Sequence, residues 1–591
     1  MNIGRRTLAL LLFLGMLTQA KAQRIVLSGI VIDEATGQPV EFASVLLAES
    51  GLWAVTGDNG TFTIKNVPTG KVTLTVQCLG YRKRTWPMTV GRDVTNLQLK
   101  LRQESLRLDE VTVTARRKQD EATTSYTIDR TTLDNQQVLN LSDIAALLPG
   151  GKTVNPTLMS DNRLQLRSGA QEKGNAAFGT AVEVDGMRLD NNAAAGETTG
   201  VSTRTVSASN IESVEVVTGI PSVEYGDLSN GVVKVNTRRG KSPFIVEGKL
   251  NQHTRQVAVN KGLELGHNGG MLNVSAEHAR SFSDAASPYT AYQRNILSLH
   301  YMNIFMSQTT PLTVNLGVTG NVGGYNSEAD PDELLDDYQK MRDNAIRLNG
   351  ELNWLLNRRW LTSVKLTASY ALSDRKRETY ASTSSASTQP YLHVTTEGYN
   401  MAQPYDPQPS TLNPQPSTLN SQPSTLNGIV LGPTGYWYVL GYHDSKPASW
   451  SVKLKAEDNA RWSIYNVRCH NRLMAGAEYT GSHNGGRGTY YADMSVAPTW
   501  REYRYDELPT MHNVALYAED KLIVPTTRRA SAELTAGLRD DITIISGSAY
   551  GTVSSLSPRV NARYVFWRQQ RRRWVSDLQM HAGWGKSVKL P

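Results

Sequence analysis

The residues that could do chemistry in this chain are few and badly placed for catalysis. Its ten histidines are scattered, and no His-Glu-x-x-His pair occurs, so a zinc-peptidase ligand set is not offered. No serine or cysteine sits in a recognisable nucleophile pattern. The densest group of hard ligands is Glu328, Asp330, Asp332, Glu333, Asp336 and Asp337. Carboxylate oxygens suit calcium, but calcium-loop spacing is missing and a solvated acidic loop is the plainer reading. Neither a metal nor a cofactor is expected, and the chain is not expected to be an enzyme. What remains is binding. The run Leu108-Asp109-Glu110-Val111-Thr112-Val113-Thr114-Ala115 is acidic at its start and β-branched at alternate positions. A strand with no obvious partner can pair with the sheet edge of another protein. A last strand of the preceding domain, or a linker, is the alternative.

The elements around that strand begin with an export signal. Arg5 and Arg6 precede an apolar run from Leu8 to Leu17, and Ala20-Lys21-Ala22 makes a small-x-small cleavage site, so residues 1–22 read as a signal peptide. Its removal lowers the net charge from +8 to +5, too weak a bias to imply nucleic acid. The two cysteines, Cys78 and Cys469, fall in different predicted domains, so no disulfide is expected. Tyr at 25 and Trp at 11 outnumber Phe at 8, which favours aromatics with a polar tip, suited to membrane interfaces.

Residues 23–102 read as a β-sandwich. Short alternating runs at Ile25-Val31, Ala43-Leu47, Thr61-Ile64 and Val72-Gln77 are separated by turn signals such as Asp58-Asn59-Gly60 and Pro68-Thr69-Gly70. Together with Thr36-Gly37-Gln38-Pro39 and Gly80-Tyr81, this stretch resembles the carboxypeptidase-regulatory-like domain. It holds no histidine, so the peptidase in that name is not implied.

Residues 120–240 carry an ordered set of half-buried strands and glycine reversals. These are Leu164-Gln165-Leu166-Arg167-Ser168-Gly169, Val182-Glu183-Val184-Asp185-Gly186, Ile211-Glu212-Ser213-Val214-Glu215-Val216-Val217-Thr218-Gly219, Glu224-Tyr225-Gly226-Asp227 and Gly231-Val232-Val233. The set resembles the plug domain of TonB-dependent outer-membrane receptors of the Bacteroidota type. The positions that carry the plug signature are Arg167, Gly169, Asp185, Gly186, Glu212, Glu215, Gly219, Tyr225, Gly226 and Gly231. The resemblance implies that residues 103–119 are the linker bearing a TonB box, with Asp109, Glu110, Val111, Thr112, Val113, Thr114 and Ala115 binding TonB. Around Thr218-Gly219-Ile220-Pro221 the chain departs from the Lys-Asp-Ala-Ser type of segment usual in the SusC-like subgroup, which argues against a saccharide ligand.

From 241 onward the period is two. Ile346, Leu348, Gly350, Leu352 and Trp354 share one face, and Arg347, Asn349, Glu351 and Asn353 the other. About thirteen strands can be placed between 244 and 585, with 459–468 unassigned. Brief connections interleave with long ones at 281–293, 321–343, 373–448, 481–511 and 542–556. Short turns at one end and long loops at the other predict an antiparallel transmembrane β-barrel. A plugged lumen calls for about 22 strands, so thirteen, ending at Val588-Lys589-Leu590-Pro591 without a terminal aromatic strand, predict a truncated barrel. The heptad Pro407-Gln408-Pro409-Ser410-Thr411-Leu412-Asn413, repeated at 414–420 and 421–427, cannot be helical and reads as an extended loop tip.

The whole is expected to be mainly β: sandwich, α+β plug, then partial barrel. The implied function is TonB-dependent uptake of a siderophore, vitamin, peptide or glycan across the outer membrane. Its partners would be TonB with its inner-membrane energising complex, outer-membrane lipid and an extracellular ligand, with room for a surface lipoprotein. A ligand-sensing signalling receptor and a non-functional truncated product are the rival readings.

Overall fold

The computed structural model describes residues 25–586 other than a set of stretches, the longest being 103–115, 148–156, 167–178, 190–200, 405–427 and 494–503. The segment predicted as signal peptide, the Asp109–Ala115 strand and the heptad repeat lie outside the described residues.

The N-terminal unit is two small sheets. Thr61–Val67, Ile25–Asp33 and Val94–Leu101 form one, and Trp53–Val55, Ser44–Leu47, Gly70–Gln77 and Arg84–Val90 the other. Alternate residues of each point inward and close a core around Leu27, Val31, Phe62, Ile64, Leu74 and Leu99. Three of these strands, Trp53–Val55, Arg84–Val90 and Val94–Leu101, carry weaker alternation and were not expected from the pattern. Cys78 and Cys469 are not joined in a disulfide.

The next unit is a six-stranded mixed sheet in the order Met187–Arg188, Thr180–Val184, Gly231–Thr237, Ile211–Val217, Ser125–Asp129 and Arg116–Arg117. The Thr180–Val184 and Gly231–Thr237 strands run parallel, and their neighbours antiparallel. A short helix, Arg130–Asn135, follows Ser125–Asp129, and Asp129 caps it by accepting the Thr132 N–H. Its core holds Ile128, Leu141, Ile144, Val214, Val216, Val233 and Val235.

The rest is one long antiparallel sheet whose main path runs in chain order through thirteen strands, from Ser242–Leu250 to Leu578–Gly585, and a small sheet of Tyr399–Pro404, Pro390–Thr396 and Gly428–Leu431. Each predicted strand has its counterpart. The unassigned stretch is strand as well, since Pro447–Ile464 and Val467–Asn484 pair along their whole lengths. Two predicted loops also prove partly ordered. Leu361–Ser385 runs well past its expected end and pairs with Gly435–Ser445, which pairs in turn with Gly488–Tyr491. The extension of Leu361–Ser385 beyond Leu372 is largely polar on both faces, so no apolar alternation marks it.

The acidic loop is shorter than expected because Leu312–Ser327 and Tyr338–Arg358 extend into it. Asp337 there accepts the backbone N–H and hydroxyl of Ser382, so one of its carboxylates serves the extended sheet.

The long sheet is inside out. Its buried positions include Arg294, Asn273, Gln256, Ser298, Asp343 and Arg539, whereas Leu297, Leu316, Val257, Leu454, Leu516 and Trp584 are exposed. Apolar residues scattered over a surface are ordinary, but a contiguous band of them marks an interface, and alternation with apolar side out is the pattern of a wall in lipid.

Candidate functional site at the seam between plug and wall

The six-stranded unit lies against the polar face of the long sheet and is gripped from both flanks. On one flank the wall side chains reach the 138–140 and 204–209 segments. Arg294, fully buried, donates to the Asn140 side chain (2.6 Å), the Arg204 carbonyl (2.6 Å) and the Leu139 carbonyl (3.2 Å) while paired with Glu277 (2.5 Å). Gln256 donates to the Ser209 hydroxyl (2.9 Å), and the Lys249 ammonium to the Val138 carbonyl (2.9 Å). Arg347 donates to the Thr205 hydroxyl (2.9 Å) and carbonyl (2.5 Å). Strands that would pack poorly in a water-soluble sheet are satisfied here because a folded unit supplies partners for buried polar groups.

On the other flank the grip is on a single loop, 219–227. Asn561 donates to the Ile220 carbonyl (3.2 Å), Arg559 to the Pro221 (3.2 Å) and Ser222 (2.7 Å) carbonyls, and Arg539 to the Glu224 carbonyl (3.0 Å). The Glu519 carboxylate accepts the Val223 N–H (3.0 Å). Glu224 sits between two ammonium groups, Lys453 at 3.3 Å and Lys455 at 3.1 Å. Burial alone would raise its carboxyl, but the two lysines outweigh this and hold it well below the usual carboxylate range. Glu183 lies nearby without such a pair, and burial pushes it up against the pull of Lys453.

Between these flanks lies a cavity of about 280 Å³, lined by Glu183, Glu224, Tyr225 and Lys234 from the plug side and Lys365 and Lys453 from the wall. Lys234 and Lys453 also lie over the Tyr225 ring, at 4.7 and 5.2 Å from its centroid.

The sequence-selected positions divide. Asp109, Glu110, Val111, Thr112, Val113, Thr114 and Ala115, with Arg167 and Gly169, lie outside the described residues. Asp185 and Gly186 form the tight turn between Thr180–Val184 and Met187–Arg188, both with positive φ (53° and 80°). Asp185 does more than turn the chain. Its buried carboxylate accepts the Thr237 N–H (2.9 Å) and hydroxyl (2.6 Å) and pairs with Arg239 (2.7 Å). Burial would raise it, and the Arg239 charge, the nearby His300 and the Thr237 hydrogen bonds bring it below its ordinary value.

Glu215 pairs across the sheet with Lys234 at 3.7 Å, and Glu212 reaches Arg238 at 4.0 Å. Gly219 donates its N–H to the Thr124 carbonyl. Gly226 has a reason the pattern could not show: a Cβ there would lie 2.3 Å from the Arg539 Nε. Gly231 is held at φ 144°, and a Cβ would meet the Val217 carbonyl at 2.5 Å. The wall residues Arg294, Arg539 and Arg559 escaped the sequence reading, which placed Arg347 only on the polar face of its strand. Their one signal is a long cation at an inward position of an alternating strand.

Two family profiles match this chain. Residues 27–113 fit a CarboxypepD_reg-like domain, and residues 117–233 fit the TonB-dependent Receptor Plug Domain. Residues 117–233 thus match the plug of the TonB-dependent receptors. The family consists of outer-membrane proteins. This chain is similar to the TonB-dependent receptor SusC of Bacteroides thetaiotaomicron, 26% identical over 235 residues, which cover 38% of this chain and 22% of SusC. It thus spans about a fifth of that relative. Among solved structures it is similar to the ferric-catecholate import receptor Fiu of E. coli K12, with TM-score 0.49 and 11% identity over 80% of this chain and 70% of that one. It is also similar to the copper transporter OprC, with TM-score 0.47 and 13% identity over 80% and 64%.

Proposed function

We propose that this receptor takes up a nutrient ligand across the outer membrane, driven by TonB, with the 117–233 unit as a removable stopper. The observation that supports it best is the inside-out sheet whose polar face is filled by a separately folded unit. A lumen that is closed by a domain, and not by its own side chains, can be opened by moving the domain. The ligand would be a siderophore, vitamin, peptide or glycan, and a surface lipoprotein could hand it over.

TonB would pair with residues Asp109–Ala115 by strand addition. The strand that follows, Arg116–Arg117, is the edge of the plug sheet and pairs through two residues only, with Thr127 and Tyr126. Force applied at 109–115 would therefore act first on a short edge strand of the plug. This is binding and forced local rearrangement, and it asks for no bond chemistry.

Val113→Pro removes a ladder donor from the strand TonB must pair with. Radiolabelled-ligand uptake should be lost while ligand binding to the cell surface stays at the wild-type level. Uptake at the wild-type rate would remove 109–115 from the mechanism.

A further inference from the structure

Tyr338–Arg358, Leu361–Ser385, Gly435–Ser445 and Gly488–Tyr491 carry the long sheet past its apolar face at the long-loop end. Their pairing there is unbroken, residue against residue, from Tyr338↔Tyr380 to Ala345↔Ser373 and from Arg375↔Ser445 to Ser385↔Gly435. Parity therefore carries over. Tyr338 shares a face with Ile346 and Leu348, and Tyr380 with Tyr370 and Leu372, the exposed apolar face that suits a wall in lipid. Beyond its last apolar positions that outward face turns aromatic again. Tyr338, Tyr380 and Tyr438 stack across three strands with ring centroids 5.4 and 4.8 Å apart, and Tyr442 stacks on Tyr490 at 5.0 Å. Lys340 lies over the Tyr338 ring (4.8 Å) and Lys376 over Tyr442 (5.0 Å). The Glu378 carboxylate accepts the Tyr338 hydroxyl (3.0 Å), the Tyr438 hydroxyl accepts the Asp336 N–H (3.1 Å), and Arg342 pairs with Asp374 (2.8 Å). Among the described residues the Tyr380, Tyr442 and Tyr490 hydroxyls have no hydrogen-bond partner.

These rings stand too far out to be the aromatics of the membrane interface. That role falls to a first belt of Tyr370, Trp450, Tyr479 and His512, level with the end of the apolar face. The stacked tyrosines are a second belt. Tyr380 is eight residues beyond Leu372, which at ~3.4 Å per residue and a strand tilt of roughly 40° puts it on the order of 20 Å farther out. A phospholipid headgroup reaches only about 5–8 Å beyond the hydrocarbon. A lipid reaches the second belt only if its headgroup is extended by a chain of sugars.

We propose that the second belt binds the oligosaccharide headgroup of an outer-leaflet glycolipid. The stacked rings offer a row of hydroxyls at the spacing of the strands, flanked by the Lys340 and Lys376 ammonium groups and the Glu378 and Asp374 carboxylates. That mixture of donors and acceptors, with both signs of charge, suits sugar hydroxyls better than a bare anion. A protein–protein interface would present a core depleted of charge, and here charged groups lie among the rings. The belt also continues the lipid-facing side of the wall, so a ligand that meets it is anchored in the same leaflet. The inference concerns the outside of the wall and holds whatever passes through the lumen.

The test is retention of glycolipid by the purified receptor. It is mixed in detergent with lipopolysaccharide carrying its complete core saccharide, or with the lipid A portion alone, and the glycolipid kept through gel filtration is counted by mass spectrometry. The wild type should retain the core-bearing lipid in preference to lipid A. Tyr338→Phe, Tyr380→Phe and Tyr438→Phe together keep the ring stack and remove its hydroxyls. They should lower retention of the core-bearing lipid by roughly fivefold or more, about the factor that one net hydrogen bond carries, and leave lipid A retention unmoved. The belt lies outside the hydrocarbon, so the β-sheet circular dichroism should not change. If the triple variant does not fold, Tyr380→Phe alone should give a smaller loss in the same direction. Equal retention by wild type and variants, or lipid A held as well as the core-bearing form, would overturn the proposal. So would a variant that keeps its glycolipid and loses a co-purifying protein, since that would give the belt to a protein partner.

Discussion

The sandwich at 25–101 and the long sheet from 242 to 585 are built from the same two-residue alternation, yet they bury opposite faces. In the sandwich Leu27, Ile64 and Leu101 are at 0% exposure. In the long sheet Arg294 and Asn273 are at 0%, while Leu297 and Leu316 are at 52% and 50%. Period two makes a strand in either solvent, so alternation specifies strand and face but not which face meets water. What differs is the company. The sandwich closes on itself, so apolar side chains meet each other, at about 25 cal/mol per Å² of surface removed from water. The long sheet surrounds a folded domain whose edges are carbonyls, hydroxyls and N–H groups, so its inner face must be polar.

Three experiments would break or sharpen that contrast. The largest effect is expected from Arg294→Met, which strands the buried Glu277 carboxylate and removes three bonds into the plug. Taking one partner from a buried pair costs about 3–5 kcal/mol, so the urea midpoint of plug unfolding should fall steeply. An unchanged midpoint would mean that the plug is not held on this flank.

Leu297→Arg, on the outer face of the same strand, should cost about 2–4 kcal/mol when the protein is folded into lipid vesicles. Folding free energy measured by urea titration in vesicles is the check. A cost near zero would show that this face does not meet hydrocarbon.

The smallest effect concerns acid. Asp185 and Glu224 both have lowered carboxyls in the plug. A depressed carboxyl adds stability that is fully present above the unfolded-state value, roughly 4, and is lost as pH falls through the folded one. Plug unfolding should therefore need less urea at pH 3 than at pH 7, and Asp185→Asn should flatten that dependence while lowering the plateau at pH 7. A midpoint that rises on acidification would contradict the assignment of these carboxylates as clamps.

Much of this could be read beforehand, and particular residues show why the rest could not. The thirteen-strand path was legible because Ile346, Leu348, Leu352 and Trp354 alternate with polar residues, and Asp185-Gly186 was legible as a turn because few other dipeptides tolerate two positive φ values. The strand ends beyond Leu372 were not legible. There the sheet is polar on both faces, as in Ser373-Asp374-Arg375-Lys376, and alternation has nothing to mark.

By itself, then, the sequence determined the thirteen main strands of the long sheet, their order and their antiparallel neighbours, because each depends on local period and on turns between neighbours in the chain. It also determined which residues share a face. The tertiary structure alone decided which face is the lumen and what Arg294, Arg539 and Arg559 are for. Arg294 meets Leu139 and Asn140, and Arg559 meets Pro221 and Ser222, across 154 to 338 residues of chain. Contacts of that span arise only when the sheet has packed against the plug, and no local pattern of residue types encodes them.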